Sequence, residues 1–222
     1  MNLDFTHTKI SFKRPLTDYD KVRSLIGFAL RGSKRQLLKL DKSITYLNAG
    51  CGPNPLPDFI NLDYRWIPGL NLCWDLTNPL PFENGAIDGI YCEHCIEHFS
   101  RDDAAEILRE FRRILKTGAS LRIVVPDAEL YIRLYIKAKA GENVAFPYVD
   151  KPEANFTPIV PVNRIFRDHG HLYAYDAQAM RVLLLEAGFS NIAKSSFMKS
   201  RDAKLLVDTA WRESESLYME AS

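Results

Sequence analysis

The feature that most constrains the fold is a succession of short apolar runs, each closing on a polar or turn residue. From Ile44 onward the chain reads ITYLNA (44–49), FINLD (59–63), LNLCWD (70–75), AIDGIYC (86–92) and SLRIVVPD (120–127). Apolar runs of this length, bounded by turn signals, are the pattern of buried strands. Between the last two lies a helix. Ser100 with Asp103 three residues on is a start signal, Ile107, Leu108, Phe111, Ile114 and Leu115 share one face, and Gly118 is the expected stop. Strand, helix, strand implies a parallel pair, and hence an α/β architecture.

The same punctuation continues downstream. Asp127 can cap a helix through AELYIRLYIKAKA to Gly141, and Asp176 another through AQAMRVLLLEA to Gly188. NIAKSSFM (191–198) and SLYMEA (216–221) read as two closing strands. Between the two helices, residues 142–170 carry Pro147, Pro152, Pro158 and Pro161 without strong periodicity. Long loops in compact domains are usually functional lids or disordered, and Phe146, Tyr148, Phe156 and Phe166 favour a lid here.

At 222 residues, 46% hydrophobic and 26% charged, the chain suits one domain with an extension. The expected division is a basic helical extension over 1–42 and a main domain over 43–222, with 127–175 as a substrate-covering insertion. The net charge of +1 hides an asymmetry: residues 1–42 carry ten Lys and Arg against four Asp, so the remainder is acidic and nucleic-acid binding by it is not indicated. Tyr19–Leu40 reads as a helix interrupted near Gly32, with Val22, Leu25, Ile26 and Leu30 at helical spacing. Such a basic helix offers weak contact to an anionic membrane surface or a protein partner; a packing helix with a solvated basic face is the plainer reading. No apolar run approaches the roughly 20 residues of a membrane span, and the N-terminus lacks a signal peptide's apolar stretch. A cytoplasmic location with reduced cysteines is expected.

The stretch YLNAGCGPNPLPDFINLD (46–63) narrows the ligand. A dinucleotide fingerprint needs a third glycine opening a helix, and Pro55 stands there. The distance from Gly52 to Asn61 is also too short for a full helical crossover, so a pyrophosphate would lose its helix N-terminus. What survives is a tight glycine turn at a strand end, Asp63 ending the next strand and Asp75 the third. Asp63 can accept both hydroxyls of a ribose and Asp75 can recognise an adenine amine. That set suits a nucleoside with an uncharged or zwitterionic tail.

YLNAGCG, NLD, DLTNPLPFENGAIDGIYCEHCIEHF, ILREFRRILKTGASLRIVVPD and LLLEAGF resemble the successive motifs of class I S-adenosylmethionine-dependent methyltransferases of the type-11 domain group. The resemblance spans about residues 44–192, and extends to a bacterial subgroup often associated with surface-polysaccharide genes. It implies a Rossmann-like fold: a mostly parallel seven-stranded sheet with an antiparallel C-terminal strand and a shortened first crossover. It implies S-adenosyl-L-methionine as cofactor. The backbone at Asn48, Ala49, Gly50, Cys51 and Gly52 would line its methionine and ribose part, Asp63 and Tyr64 the ribose, Asp75 and Leu76 the adenine, and Cys92 and Glu93 the amino-acid end. Many members carry an acidic residue two before the first glycine; Asn48 offers a hydrogen bond instead.

CEHCIEH (92–98) invites a zinc reading, with Cys92, Cys95, His94 and His98 as donors. All four would come from one strand-to-helix turn, where the cofactor is expected, so no metal is expected. Methyl transfer from a sulfonium needs alignment of an acceptor and exclusion of water more than covalent machinery. The expected activity is methylation of a small-molecule or glycan acceptor, with oxygen as the expected accepting atom. For a hydroxyl acceptor the candidate bases are His171, His169 and His94, with Glu93 as orienter or alternative base. The competing readings are a non-catalytic methyltransferase-like binding protein and a nicotinamide-dependent oxidoreductase.

Overall fold

The computed structural model describes residues 18–149 and 157–222. Its centre is a seven-stranded sheet: β1 (Tyr46–Ala49), β2 (Ile60–Asp63), β3 (Leu72–Cys73), β4 (Ile87–Glu93), β5 (Leu115–Pro126), β6 (Ala193–Lys194) and β7 (Ser216–Ala221). The spatial order is β3-β2-β1-β4-β5-β7-β6. Strands β1 to β5 pair in parallel, while β7 runs antiparallel to both β5 and β6. The expected sheet and its antiparallel C-terminal strand are therefore present. Chain order reverses between β1 and β4, and ligands of open α/β sheets bind outside the carboxyl ends of the strands at such a reversal.

The helices are α1 (Asp18–Leu30), α2 (Arg101–Ile114), α3 (Ala128–Lys139), α4 (Ile159–Arg167) and α5 (Ala177–Glu186). Three of them start where the sequence indicates. Ser100, Asp127 and Asp176 accept from the backbone N–H of Asp103, Leu130 and Ala179. One face of the sheet buries Leu47, Ile90, Cys92, Leu121, Ile123 and Leu217 against Ile107, Leu108 and Phe111 of α2 and Leu183 and Leu184 of α5. The alternate residues of the same strands, Tyr91, Val124 and Tyr218, face the other way and meet Phe59 and Leu205. That second layer is not helical in the usual sense. It consists of the 50–59 loop and the irregular segment 195–212, which holds only short 3-10 turns at Ala203–Leu205 and Ala210–Arg212.

A buried arginine pins this layer. Arg122 of β5, fully buried, donates to Asp208 through Nε (2.8 Å) and Nη2 (2.6 Å), to Glu220 at 3.1 Å, and to the carbonyls of Lys199 and Ser196 at 2.8 and 2.9 Å. A guanidinium offers five donors in a rigid fork, so one side chain satisfies both carboxylates and two carbonyls of a segment with no ladder of its own.

The structure departs from the sequence reading at several points. Helix α2 ends at Ile114 rather than Gly118, because Leu115 already pairs with Ile87. The next register pair is Gly89 with Ser120, so residues 116–119 bulge, and Gly118 takes φ +79° there. The strands expected over 70–75 and 191–198 shrink to Leu72–Cys73 and Ala193–Lys194. The expected loop contains α4. Of its aromatics, Phe146 buries with Ile165 against Ala128 and Tyr131, Tyr148 meets Trp211 edge to face, and Phe166 is exposed. Phe156 lies outside the described residues.

The N-terminal helix also packs the other way round. Its inward stripe is Arg23, Gly27 and Arg31, with Arg23 Nε donating to the Trp66 carbonyl (3.0 Å) and Arg31 to that of Tyr64 (3.1 and 3.0 Å). Val22, Leu25 and Phe28 are exposed. Gly27 permits the close approach: a Cβ there would lie 3.3 Å from the Trp66 backbone nitrogen. Among the described residues, no helix is long and apolar enough to cross a membrane.

Candidate active site

A cavity of about 240 Å³ opens at the carboxyl ends of β1, β2 and β4, at the β1–β4 reversal. Its floor is the glycine turn. Gly50 has φ +67° and Gly52 φ +53°, both in the left-handed region. A Cβ on Gly50 would stand 2.2 Å from Cys95 Sγ, whereas one on Gly52 would meet nothing within 4 Å. Gly50 is thus demanded by packing as well as by the turn, and Gly52 faces open space. The backbone N–H of Gly52 donates to Asp63 Oδ2 and that of Arg65 to Oδ1, both at 2.8 Å, which holds the Asp63 carboxylate at the rim.

No helix follows β1. Residues 50–59 cross to β2 as a loop, the shortened first crossover expected from the prolines. An amide network takes the place of helical hydrogen bonds. Asn61 donates to the carbonyls of Leu56 (2.9 Å) and Phe59 (3.2 Å) and accepts from Leu56 N–H (2.7 Å); Asn48 donates to Asn61 Oδ1 (3.0 Å) and to the Asn54 carbonyl (3.2 Å). Pro53, Pro55 and Pro57 bring no N–H to be satisfied, so two asparagines suffice for much of a loop that packs close to the sheet. The Asn48 side chain lines the cavity but its amide is engaged in this network.

The opposite wall comes from the end of β4 and the irregular layer: Tyr91, Glu93, His94, Cys95, His98, Val207, Thr209 and Arg212. Glu93 accepts from Thr209 N–H at 3.0 Å and from its hydroxyl, tying the two elements together within this wall. His94 has φ +47°, and its Nε2 lies 2.8 Å from Ser216 Oγ. Burial, then the charge of Arg212, pushes His94 down to about 2, so it is neutral near pH 7. Burial likewise takes His98 down to about 4 and raises Cys51 to about 12. Arg212 Nε is buried with no hydrogen-bond partner.

Of the residues expected from the sequence, Asn48, Gly50, Cys51, Gly52, Asp63, Glu93 and His94 line this cavity. Others do not. The Ala49 and Cys92 side chains are fully buried in the core beneath the sheet. The Tyr64 ring lies 3.4 Å under the Arg31 guanidinium. Asp75 Oδ1 accepts from Thr77 N–H (3.0 Å) and Oγ1 (2.8 Å) as a turn-former, with Leu76 buried in the core beside it. His169 and His171 are also absent from the wall, as is every described residue of the 127–175 insertion. Phe146 and Ile165 of this segment pack against α3, while Tyr148 reaches the Trp211 carbonyl and His171 stacks on His98, both just behind the cavity wall. Arg65, Asn54, His98, Thr209 and Arg212 line the cavity without having been singled out as site residues. Thr209 and Arg212 sit in a segment with no periodicity, and long-range contacts, the buried Arg122–Asp208 pair and the Glu93–Thr209 hydrogen bonds, bring it to the site.

The comparisons with known proteins bear on the same unit. A family model described as Methyltransferase domain matches residues 22–194. None of the curated proteins matches the chain. A solved structure from Thermotoga maritima, a SAM-dependent methyltransferase described as a possible histamine N-methyltransferase, is similar at 15% identity with a TM-score of 0.48, over 91% of this chain and 90% of that one. A SAM-dependent methyltransferase from Archaeoglobus fulgidus is similar at 15% identity and a TM-score of 0.48, over 90% of this chain and 93% of that one. The family match takes in most of the chain, including β1 to β6 and the glycine turn. The chain belongs to the methyltransferase-domain family and is a class I enzyme that uses S-adenosyl-L-methionine.

Proposed function

We propose that the enzyme methylates a hydroxyl of a small-molecule or glycan acceptor in the cavity between the glycine turn and the end of β4. The observation that carries this reading is the placement of Gly50, Gly52 and Asp63 on one side of that cavity and Glu93, His94 and Arg212 on the other.

The residues fit the cofactor in three respects. Gly52 leaves backbone open for close approach. Each Asp63 oxygen accepts one backbone N–H and retains a lone pair for a ribose hydroxyl. Arg65 and Arg212 supply cations for a carboxylate, either the methionyl end or an acidic acceptor. No phosphate binder is needed, in keeping with the loop that stands where a helix N-terminus would be. The cavity lies a little below the roughly 300–1,000 Å³ common for small-molecule sites, and Asp75 and Leu76 are outside it. The adenine would be held outside this cavity, by Asp75 and Leu76 just past the end of β3. Cys51 and Cys92 contribute backbone only, since Cys51 is 7% exposed and Cys92 is fully buried.

The bound sulfonium supplies an activated methyl group. What the chain supplies is alignment and a proton acceptor. Among the candidate histidines, His94 is the one that lines the cavity. Burial weakens it as a base, and the Glu97 and Glu215 carboxylates at 3.6 and 3.8 Å from its ring nitrogens are what would favour a proton there. Glu93, held by Thr209, orients rather than accepts. His171 and His169 stand behind His98, outside the cavity wall.

A screen of hydroxylated small molecules, sugars and lipid-linked glycans, scored by release of S-adenosylhomocysteine, tests the acceptor class. With an acceptor in hand, His94→Ala should lower kcat roughly 10²-fold or more while cofactor affinity changes little. Undiminished turnover removes His94 as base, and methylation at nitrogen or carbon alone removes the hydroxyl assignment.

A further inference from the structure

The carboxylate of Glu97 has no visible reason to be where it is. It is 1% exposed, and neither oxygen has a hydrogen-bond partner. A buried carboxylate is expected to be paired, bonded or on a metal. Burial pushes it up to about 8, against the lowering pull of its own backbone N–H and of the Arg212 charge.

Two imidazoles share a cluster with it. A carboxylate oxygen of Glu97 and one ring nitrogen each of His98 and His171 all lie within 4.8 Å of one another. A third imidazole, His94, has Nδ1 3.6 Å from Glu97 Oε1 but is not in that cluster. His171 Nδ1 stands 2.7 Å from the Ile165 carbonyl, an acceptor, so that nitrogen carries the proton. Nε2 then holds a lone pair, and it lies 4.0 Å from Glu97 Oε1. Two electron-pair donors face each other across a gap too wide for a hydrogen bond, and a tetrahedral cation at about 2.1 Å from each would draw them in to roughly 3.4 Å. His98 is fixed in the same manner by a backbone hydrogen bond to Gly170. Metal-bound histidines commonly donate their second ring nitrogen to such backbone carbonyls.

The two chain segments are also locked together. The Glu97 carbonyl accepts from the N–H of both Leu172 (2.8 Å) and Tyr173 (3.2 Å), which sets His171 against the Ile96–His98 turn. The His98 and His171 rings meet edge to face with centroids 5.1 Å apart. Nearby charges divide: Glu215 and Glu93 favour a cation beside Glu97, and Arg212 opposes one.

We propose that Glu97, His98 and His171 form a binding site for one divalent first-row transition cation. One carboxylate and two imidazoles are a donor set used for zinc and for non-haem iron, with positions left over for water or substrate. Cys92 and Cys95, the thiols of the zinc reading set aside from the sequence, are not in the group. His98 also lines the methyl-transfer cavity, so the ion stands at its wall, but the site does not depend on how that cavity is used.

Calorimetric titration of chelator-treated protein with Mn²⁺ and Co²⁺ tests this. The expected result is one ion per chain, with Glu97→Gln and His171→Asn each weakening binding at least tenfold while far-ultraviolet circular dichroism stays unchanged. Absence of binding by the wild type, or equal binding by both variants, overturns the proposal. So does a cobalt–thiolate charge-transfer band, which would put the ion on cysteine. Should a variant fail to fold, Mn²⁺ titration of the wild type followed by proton NMR decides: selective broadening of the His98 and His171 ring signals supports the site, and its absence refutes it.

Discussion

At the scale of single residues, the glycine turn shows how much of a site one side chain's absence can determine. Gly50 and Gly52 both take positive φ, yet only Gly50 has a neighbour, Cys95 Sγ, in the position of the missing Cβ. Gly50→Ala combines backbone strain with that overlap, for a loss of about 1–3 kcal/mol of stability and of cofactor affinity with it. Gly52→Ala carries strain alone and should be milder in stability. Denaturant unfolding of the two variants checks the order; equal stabilities would show that the contact with Cys95 is not the constraint. The turn itself is legible in the sequence because two glycines at a strand end have few other uses. Its partner is not, because Cys95 lies far along the chain, just past the end of β4. The same limit applies to Asp75: a strand-end aspartate reads as a ligand for adenine, while in the fold it also closes a turn onto Thr77.

At the scale of elements, the strands and the three capped helices follow from local chemistry, and the irregular layer does not. The capping aspartates and Ser100 work through neighbours three residues away, so their signal is in the sequence. The segment 195–212 owes its path to Arg122, whose side chain reaches Asp208 and two carbonyls far along the chain. In the sequence, SLRIVVPD shows that arginine as an interruption in an apolar strand and nothing more. Removing one partner of a buried pair leaves the other charge uncompensated. Asp208→Ala should therefore cost about 3–5 kcal/mol, and should also loosen Thr209 and Arg212 at the cavity wall. Unfolding and cofactor titrations of this variant check both; a variant as stable as the wild type would show that the arginine does not hold the layer. The inward Arg23 and Arg31 of α1 make a related point. Helical spacing of Val22, Leu25 and Ile26 suggests the buried face, but carbonyls at Tyr64 and Trp66 draw the arginines in instead.

At the scale of the whole molecule, a sheet with helices on one face and an irregular layer on the other brings a cavity to the β1–β4 reversal. The parallel pairing of β4 with β5 and the shortened first crossover could be anticipated because parallel strands need connections whose lengths are countable, whereas the seven-stranded sheet with its antiparallel C-terminal strand came with the family resemblance. The packing of residues 142–170 could not, since the cluster of Phe146 and Ile165 with Ala128 and Tyr131 is a tertiary contact among residues that also suit a lid. The central claim is that this cavity holds S-adenosyl-L-methionine with Asp63 at the ribose. Calorimetric titration with that cofactor and with S-adenosylhomocysteine tests it most directly. Saturable binding of both by the wild type, weakened at least tenfold by Asp63→Asn without loss of folded protein, is the predicted result; no binding by the wild type, or full affinity in the variant, would contradict it.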